Sequence, residues 1–97
     1  MNTLLEKEDT ILKYLLFDLK HLSQGNIVEV RLTGTECDVM LVNYTNLSNY
    51  KNGRRVKYYG GHYKQSPVKI PVPYYDHWYV IVANGNVKAS VSIIKFW

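Results

Sequence analysis

The chain is poor in cysteine, in long apolar runs and, through its centre, in acid. Cys37 is the single cysteine, so no disulfide can close within the chain and a multi-thiolate metal site is excluded. Cys37 stands between Glu36 and Asp38, whose charges oppose formation of a thiolate, so an inert thiol is expected here rather than a nucleophile. No stretch approaches the roughly 20 apolar residues of a membrane-spanning helix. Glu6, Glu8 and Asp9 interrupt the only segment that could serve as a signal peptide. A soluble, cytoplasmic protein with no membrane partner is the expectation. Two glycosylation sequons, Asn43-Tyr44-Thr45 and Asn46-Leu47-Ser48, are then chance matches.

Between Val39 and Tyr75 there is no Asp or Glu, but there are six Lys or Arg. General acid–base chemistry needs a positioned carboxylate or histidine, and this stretch supplies only His62. A His62–Asp76–His77 grouping would require two loops to meet. His21, His62 and His77 lack the close spacing of metal ligands. No catalytic residue, metal or cofactor is therefore expected.

What the chain does contain is tyrosine, basic charge and strand pattern. Its 97 residues, 46% of them hydrophobic, fit a single domain over 1–97. Nine tyrosines stand against two tryptophans and two phenylalanines, and the net charge is +4. Thr3-Leu4-Leu5-Glu6 has the form of a capping box, and a short helix is expected over residues 3–11, within an N-terminal extension of 1–12. It would cover one end of the sheet, or dock a second copy in a homodimer. Residues 13–19 fit either an extension of that helix or a first strand.

From Asn26 onward the apolar residues alternate. Val28, Val30 and Leu32 form one strand face, with Glu29 and Arg31 on the other. Val39 to Val42 is apolar on both faces and reads as a central strand. Residues 44–49 read as a polar loop, Asn52-Gly53 as a hairpin turn, and Asn84-Gly85-Asn86 as a second short hairpin turn. Val68, Ile70 and Val72 alternate with Lys69, Pro71 and Pro73, which places that strand at an edge because proline cannot donate to a ladder. Trp78, Val80 and Val82, then Val87, Ala89, Val91 and Ile93, complete the pattern. The expectation is a mainly β fold: an antiparallel β-sandwich or open barrel of six to eight short strands with a short N-terminal helix.

Ser48-Asn49-Tyr50-Lys51-Asn52-Gly53, Tyr58-Tyr59-Gly60-Gly61-His62-Tyr63-Lys64 and Ser66-Pro67-Val68-Lys69-Ile70-Pro71-Val72-Pro73 followed by His77-Trp78-Tyr79-Val80 resemble a bacterial family, domain of unknown function 1883. The resemblance covers roughly Asp18 to Ile94 and implies a small β domain. Some members are joined to Toll/interleukin-receptor-like (TIR) domains, which implies an accessory or sensing role beside an effector protein domain. It implies no activity of its own.

Tyr50 to Lys64 is the stretch whose composition a core strand does not need: four tyrosines, five basic residues, three glycines and no acid. Arg54, Arg55, Lys57 and Lys64 offer charge-assisted bonds to phosphate or carboxylate. Gly60 and Gly61 let backbone amides approach an anion. Tyr58, Tyr59 and Tyr63, with His62 among them, offer ring faces for stacking. A non-enzymatic module binding a small anionic or nucleotide-like ligand is one reading. The other is a protein-interaction or oligomerisation domain in which Tyr58 to Tyr63 forms a structural corner. Nucleic acid is the weaker partner, because the basic excess is small for a phosphate-tracking surface.

Overall fold

The alternation of apolar residues resolves into seven strands, and the chain nearly always changes sheet between them. In the computed structural model, which describes residues 14–95, the elements are β1 (Tyr14–Leu22), β2 (Asn26–Gly34), β3 (Cys37–Asn43), α1 (Tyr44–Lys51), β4 (Tyr59–Tyr63), β5 (Val68–Pro71), β6 (Asp76–Ala83) and β7 (Val87–Lys95). One sheet has the order β1-β6-β3-β4 and the other β5-β2-β7. All pairings are antiparallel, and the two sheets pack face to face as a sandwich. The helix expected over residues 3–11 and the Phe96-Trp97 pair lie outside the described residues. Residues 14–19 are strand.

The core follows from the two faces of β3 and β6. Cys37, Val39 and Leu41 pack with Trp78, Val80 and Val82 between the sheets, against Val28, Val30, Val68 and Ile70. The opposite faces bury Met40 and Val42 with Ile81 and Ala83 beneath Leu47 of α1. The two-sided apolar pattern of Val39 to Val42 is thus a strand covered on both faces. Each such aliphatic side chain contributes about 1.5–3 kcal/mol on burial. Trp78 is the largest of the fully buried side chains, and its indole Nε1 donates to the Tyr74 carbonyl oxygen at 3.1 Å.

Three local readings change. Residues 44–51 are helix rather than loop. Their Asn, Ser and Thr are weak helix formers, and eight residues are too few for an isolated helix. The helix exists because Asn43 caps it, accepting from the Asn46 backbone N–H at 3.0 Å, and because Leu47 docks on the sheet. Asn52 and Gly53 end this helix and do not turn a hairpin: Asn52 is its C-cap and Gly53 adopts φ +69°. Asn84-Gly85-Asn86 is not a hairpin turn either, since β6 and β7 belong to different sheets. It is an arch, locked to the β2–β3 arch by Thr35 N–H to the Asn86 carbonyl oxygen at 3.2 Å and Asn86 N–H to Thr35 Oγ1 at 2.8 Å.

Glu29, expected on an open strand face, is only 8% exposed. Arg31 at 3.4 Å, Lys69 at 4.0 Å and the Ser92 hydroxyl at 3.3 Å surround its carboxylate. The central position of β2 brings the neighbours of both flanking strands over it.

Candidate functional site

A row of asparagines sets up the site. Asn43, Asn46, Asn49 and Asn52 recur every third residue, so they lie near one another along α1 and its caps. Asn43 Oδ1 also accepts from Asn46 Nδ2 at 3.0 Å. Asn46 Oδ1 accepts from the Lys57 backbone N–H at 2.8 Å, and Asn49 from Arg54, both at its carbonyl oxygen (2.8 Å) and at its side chain from Nε (3.1 Å). The segment after the helix is thereby strapped back along it. It enters β4 with the rings of Tyr58 and Tyr59 outward, 48% and 43% exposed.

Those two rings form the wall between two grooves. The narrower, about 420 Å³, is lined by Asn43, Asn46, Val56, Lys57, Tyr58, Tyr59, Tyr74 and Trp78. Tyr59 meets Trp78 edge-on with ring centroids 6.0 Å apart, and Tyr74 lies 5.1 Å from the same indole. Burial raises the Tyr74 phenol above its ordinary value, as do the neighbouring Tyr59 and Asp76. The wider groove, about 800 Å³, runs between β4 and β5. Its lining includes Tyr58, Tyr59, Gly60, Tyr63, Lys69, Ile70, Pro71, Val72, Pro73 and the Gln24–Asn26 turn. Both volumes are in the range of small-molecule and peptide sites.

The expected residues therefore separate. Tyr58 and Tyr59 line both grooves, Lys57 the narrower, and Gly60 and Tyr63 the wider. Arg54, Arg55, Gly61, His62 and Lys64 line neither. Gly60 has a packing duty: at φ +134°, a Cβ there would overlap the Val39 carbonyl oxygen. A Cβ at Gly61 would meet nothing within 4 Å.

His62 faces a different neighbourhood. Its Nδ1 lies 2.7 Å from Asp38 Oδ1 and its Nε2 2.6 Å from Glu36 Oε1. Hydrogen bonds that the ring donates to Asp38 first and to Glu36 second hold the imidazole above its ordinary value. Asn84 Nδ2 completes the group, donating to Asp38 Oδ2 at 2.6 Å. His77 pairs with Asp18 instead, Nε2 to Oδ1 at 2.7 Å, while Asp76 accepts from the His77 backbone N–H and from Asn43 Nδ2. The structure thus does not bring His62, Asp76 and His77 together.

Sequence reasoning passed over Asn43, Asn46, Tyr74 and Asn26. The three-residue asparagine period was the available signal for the first two, hidden by its likeness to a polar loop. It also passed over an aromatic row on the outer face of the four-stranded sheet: Tyr75, His21, His77, Tyr79 and Tyr44, with successive centroids 5.4, 4.9, 4.7 and 6.4 Å apart. Pairing of β1 with β6 creates that row, including the cross-strand His21–His77 pair.

Among the described residues, no helix is long and apolar enough to cross a membrane. The comparison with curated proteins finds no match, and neither does the comparison with solved structures. A family model described as a domain of unknown function (DUF1883) matches residues 12–96, a span that takes in every strand, the helix and both grooves, and the chain belongs to that family.

Proposed function

We propose that this domain is a non-enzymatic binding module whose ligand-facing wall is Tyr58 and Tyr59, taking a small anionic, nucleotide-like ligand in the narrower groove. The observation that carries this reading is the convergence of Lys57, Tyr58, Tyr59 and Tyr74 with the Asn43 and Asn46 amides around one concave space. The tyrosine rings offer faces to a planar base. Lys57 offers a cation, and no ion pair engages it among the described residues. Arg54 and Arg55 stand outside the groove and guide an anion only through the general field of the basic stretch. An accessory role beside an effector domain, as the family resemblance implies, would use the same wall.

Thermal-shift measurements against a panel of mono- and dinucleotides test the reading. A rise in Tm is expected that Lys57→Ala or Tyr58→Ala removes and that Arg55→Ala leaves in place. No shift with any member of the panel sinks it.

A further inference from the structure

The outer face of the four-stranded sheet brings together two histidines that lie far apart in the sequence. His21 of β1 and His77 of β6 are register partners, with ring centroids 4.9 Å apart. Their meeting depends on an irregularity in β1. From Asp18 to His21 that strand advances three residues, while β6 advances two from Tyr79 to His77. An unbroken register would set Lys20 opposite His77 and turn His21 to the other face of the sheet, because successive side chains of a strand alternate between faces. The extra residue makes a bulge, and Lys20 lies in it at φ +62°. A residue with a Cβ is strained in that conformation, and bulges commonly re-aim a side chain toward a site.

Asp18 secures both halves of the arrangement. Its Oδ1 accepts from the Lys20 backbone N–H at 2.8 Å and lies 2.7 Å from His77 Nε2. With Nε2 donating to Asp18, the lone pair that His77 can offer a metal is at Nδ1. The other Asp18 oxygen faces the Lys20 ammonium at 3.8 Å, so this carboxylate orients its neighbours and is not counted as a ligand. No hydrogen bond engages His77 Nδ1 or the His21 imidazole among the described residues. Tyrosines brace both rings: Tyr75 stacks on His21 with centroids 5.4 Å apart and Tyr79 on His77 at 4.7 Å. Stacking covers ring faces and leaves the in-plane nitrogens free.

Two imidazoles so placed suit one transition-metal ion. A metal–nitrogen bond of about 2.0–2.1 Å lies in the ring plane and sets the ion about 3.2 Å from the ring centroid, so imidazoles in adjacent positions of a square or tetrahedral shell have centroids about 4.5–5.2 Å apart. The observed 4.9 Å falls within that interval. A ligating histidine whose other nitrogen donates to a carboxylate is the usual arrangement at such centres. Among the described residues, no three His, Cys, Asp or Glu side chains are grouped to hold a metal. The pair therefore supplies two donors, and the remaining positions belong to water or to an incoming ligand.

We infer that His21 and His77 form an open, exchangeable site for an imidazole-seeking divalent cation of the zinc, nickel or copper type, with Asp18 as the positioning residue. Magnesium and calcium take oxygen ligands and do not suit it. None of these three residues lines either groove, so the site is separate from the one proposed for a nucleotide.

Calorimetric titration of the full 97-residue chain with Zn²⁺ in a non-chelating buffer tests this. One ion per chain is expected, and a large excess of Mg²⁺ should not compete. His21→Gln and His77→Gln should each weaken binding at least about tenfold, and Asp18→Asn by about tenfold, with Asp18→Glu restoring part of that loss. His62→Gln should leave the affinity unchanged. Electron paramagnetic resonance of the unaltered chain with one equivalent of Cu²⁺ needs no variant and should show two imidazole nitrogens on the ion. Four results would each overturn the site: no binding at millimolar Zn²⁺, native affinity in either the His21 or the His77 variant, an equal loss in His62→Gln, or a single coordinated imidazole. Native affinity in Asp18→Asn would overturn the role given to Asp18.

Discussion

His62 Nδ1 stands 2.7 Å from Asp38 Oδ1, across the β3–β4 pair, while Glu36 takes the other imidazole nitrogen at 2.6 Å. One imidazolium thus bridges two carboxylates and ties an edge strand to its neighbour. Hydrogen bonds donated to Asp38 and Glu36 raise the His62 pKa. For Asp38, burial acts to raise the pKa, but the Asn84 and His62 hydrogen bonds prevail and leave it lowered.

The signs define a window. A raised histidine stabilises fully below its unfolded value of about 6.5, and this is lost as pH rises through the folded value. A lowered carboxylate stabilises above about 3.9, and this is lost as pH falls through its folded value. The difference in Tm between the native chain and His62→Gln should therefore be largest near pH 5–6 and shrink as pH rises through the raised folded value. A difference independent of pH would show that the ion pairs contribute nothing.

The two glycines of β4 should behave oppositely. Gly60→Ala puts a Cβ into the Val39 carbonyl oxygen at a positive φ, and should cost about 2 kcal/mol or more. Gly61→Ala meets nothing and should change stability by no more than about 0.5 kcal/mol. Urea unfolding of both variants checks the contrast, and equal effects would refute the packing argument for Gly60.

Asn43 is a cap and a strap at once. Asn43→Ala removes the acceptor for the Asn46 N–H and for Asn46 Nδ2. A lost cap costs about 1 kcal/mol, at most about 2. The segment that Asn46 and Asn49 hold should loosen with it. Limited trypsin digestion should cut faster at Arg54 and Arg55 in this variant, without comparable acceleration at Lys88. Uniform acceleration would mean global rather than local loss.

Cys37 is fully buried in the sandwich core, where burial first and Asp38 second raise the thiol pKa. The thiolate is the reactive form. An aromatic disulfide reagent at pH 8 should leave the folded protein essentially unmodified and react completely once it is unfolded in urea. Rapid modification of the native chain would place the thiol at the surface.

Strand identity was legible in the sequence because period-two burial is a local property. Val28, Val30 and Leu32 alternate whatever lies across from them, and Val39 to Val42 announces two buried faces by composition alone. The proline-marked edge at Val68–Pro71 is equally local, since proline carries its missing donor with it. These patterns determined the mainly β class and supplied most of the core.

Sheet membership was not legible. Asn84-Gly85-Asn86 states that the chain turns but not where it goes, and the destination is decided by which strand edge is open to β7, here that of β2. Helix α1 was hidden for the same reason: Asn, Ser and Thr carry little propensity, and the docking of Leu47 together with the cap at Asn43 decides the matter. The site was half legible. Composition marked Tyr50 to Lys64 as a surface rather than a core. Only the tertiary structure moved His62 to Asp38 and Glu36, Arg54 to Asn49, and Asn26 to the lining of the groove beside β4. Composition is read along the chain, whereas a groove is made by residues far apart in sequence, and only the packing of β4 against β3 and of β5 against β2 brings those residues together.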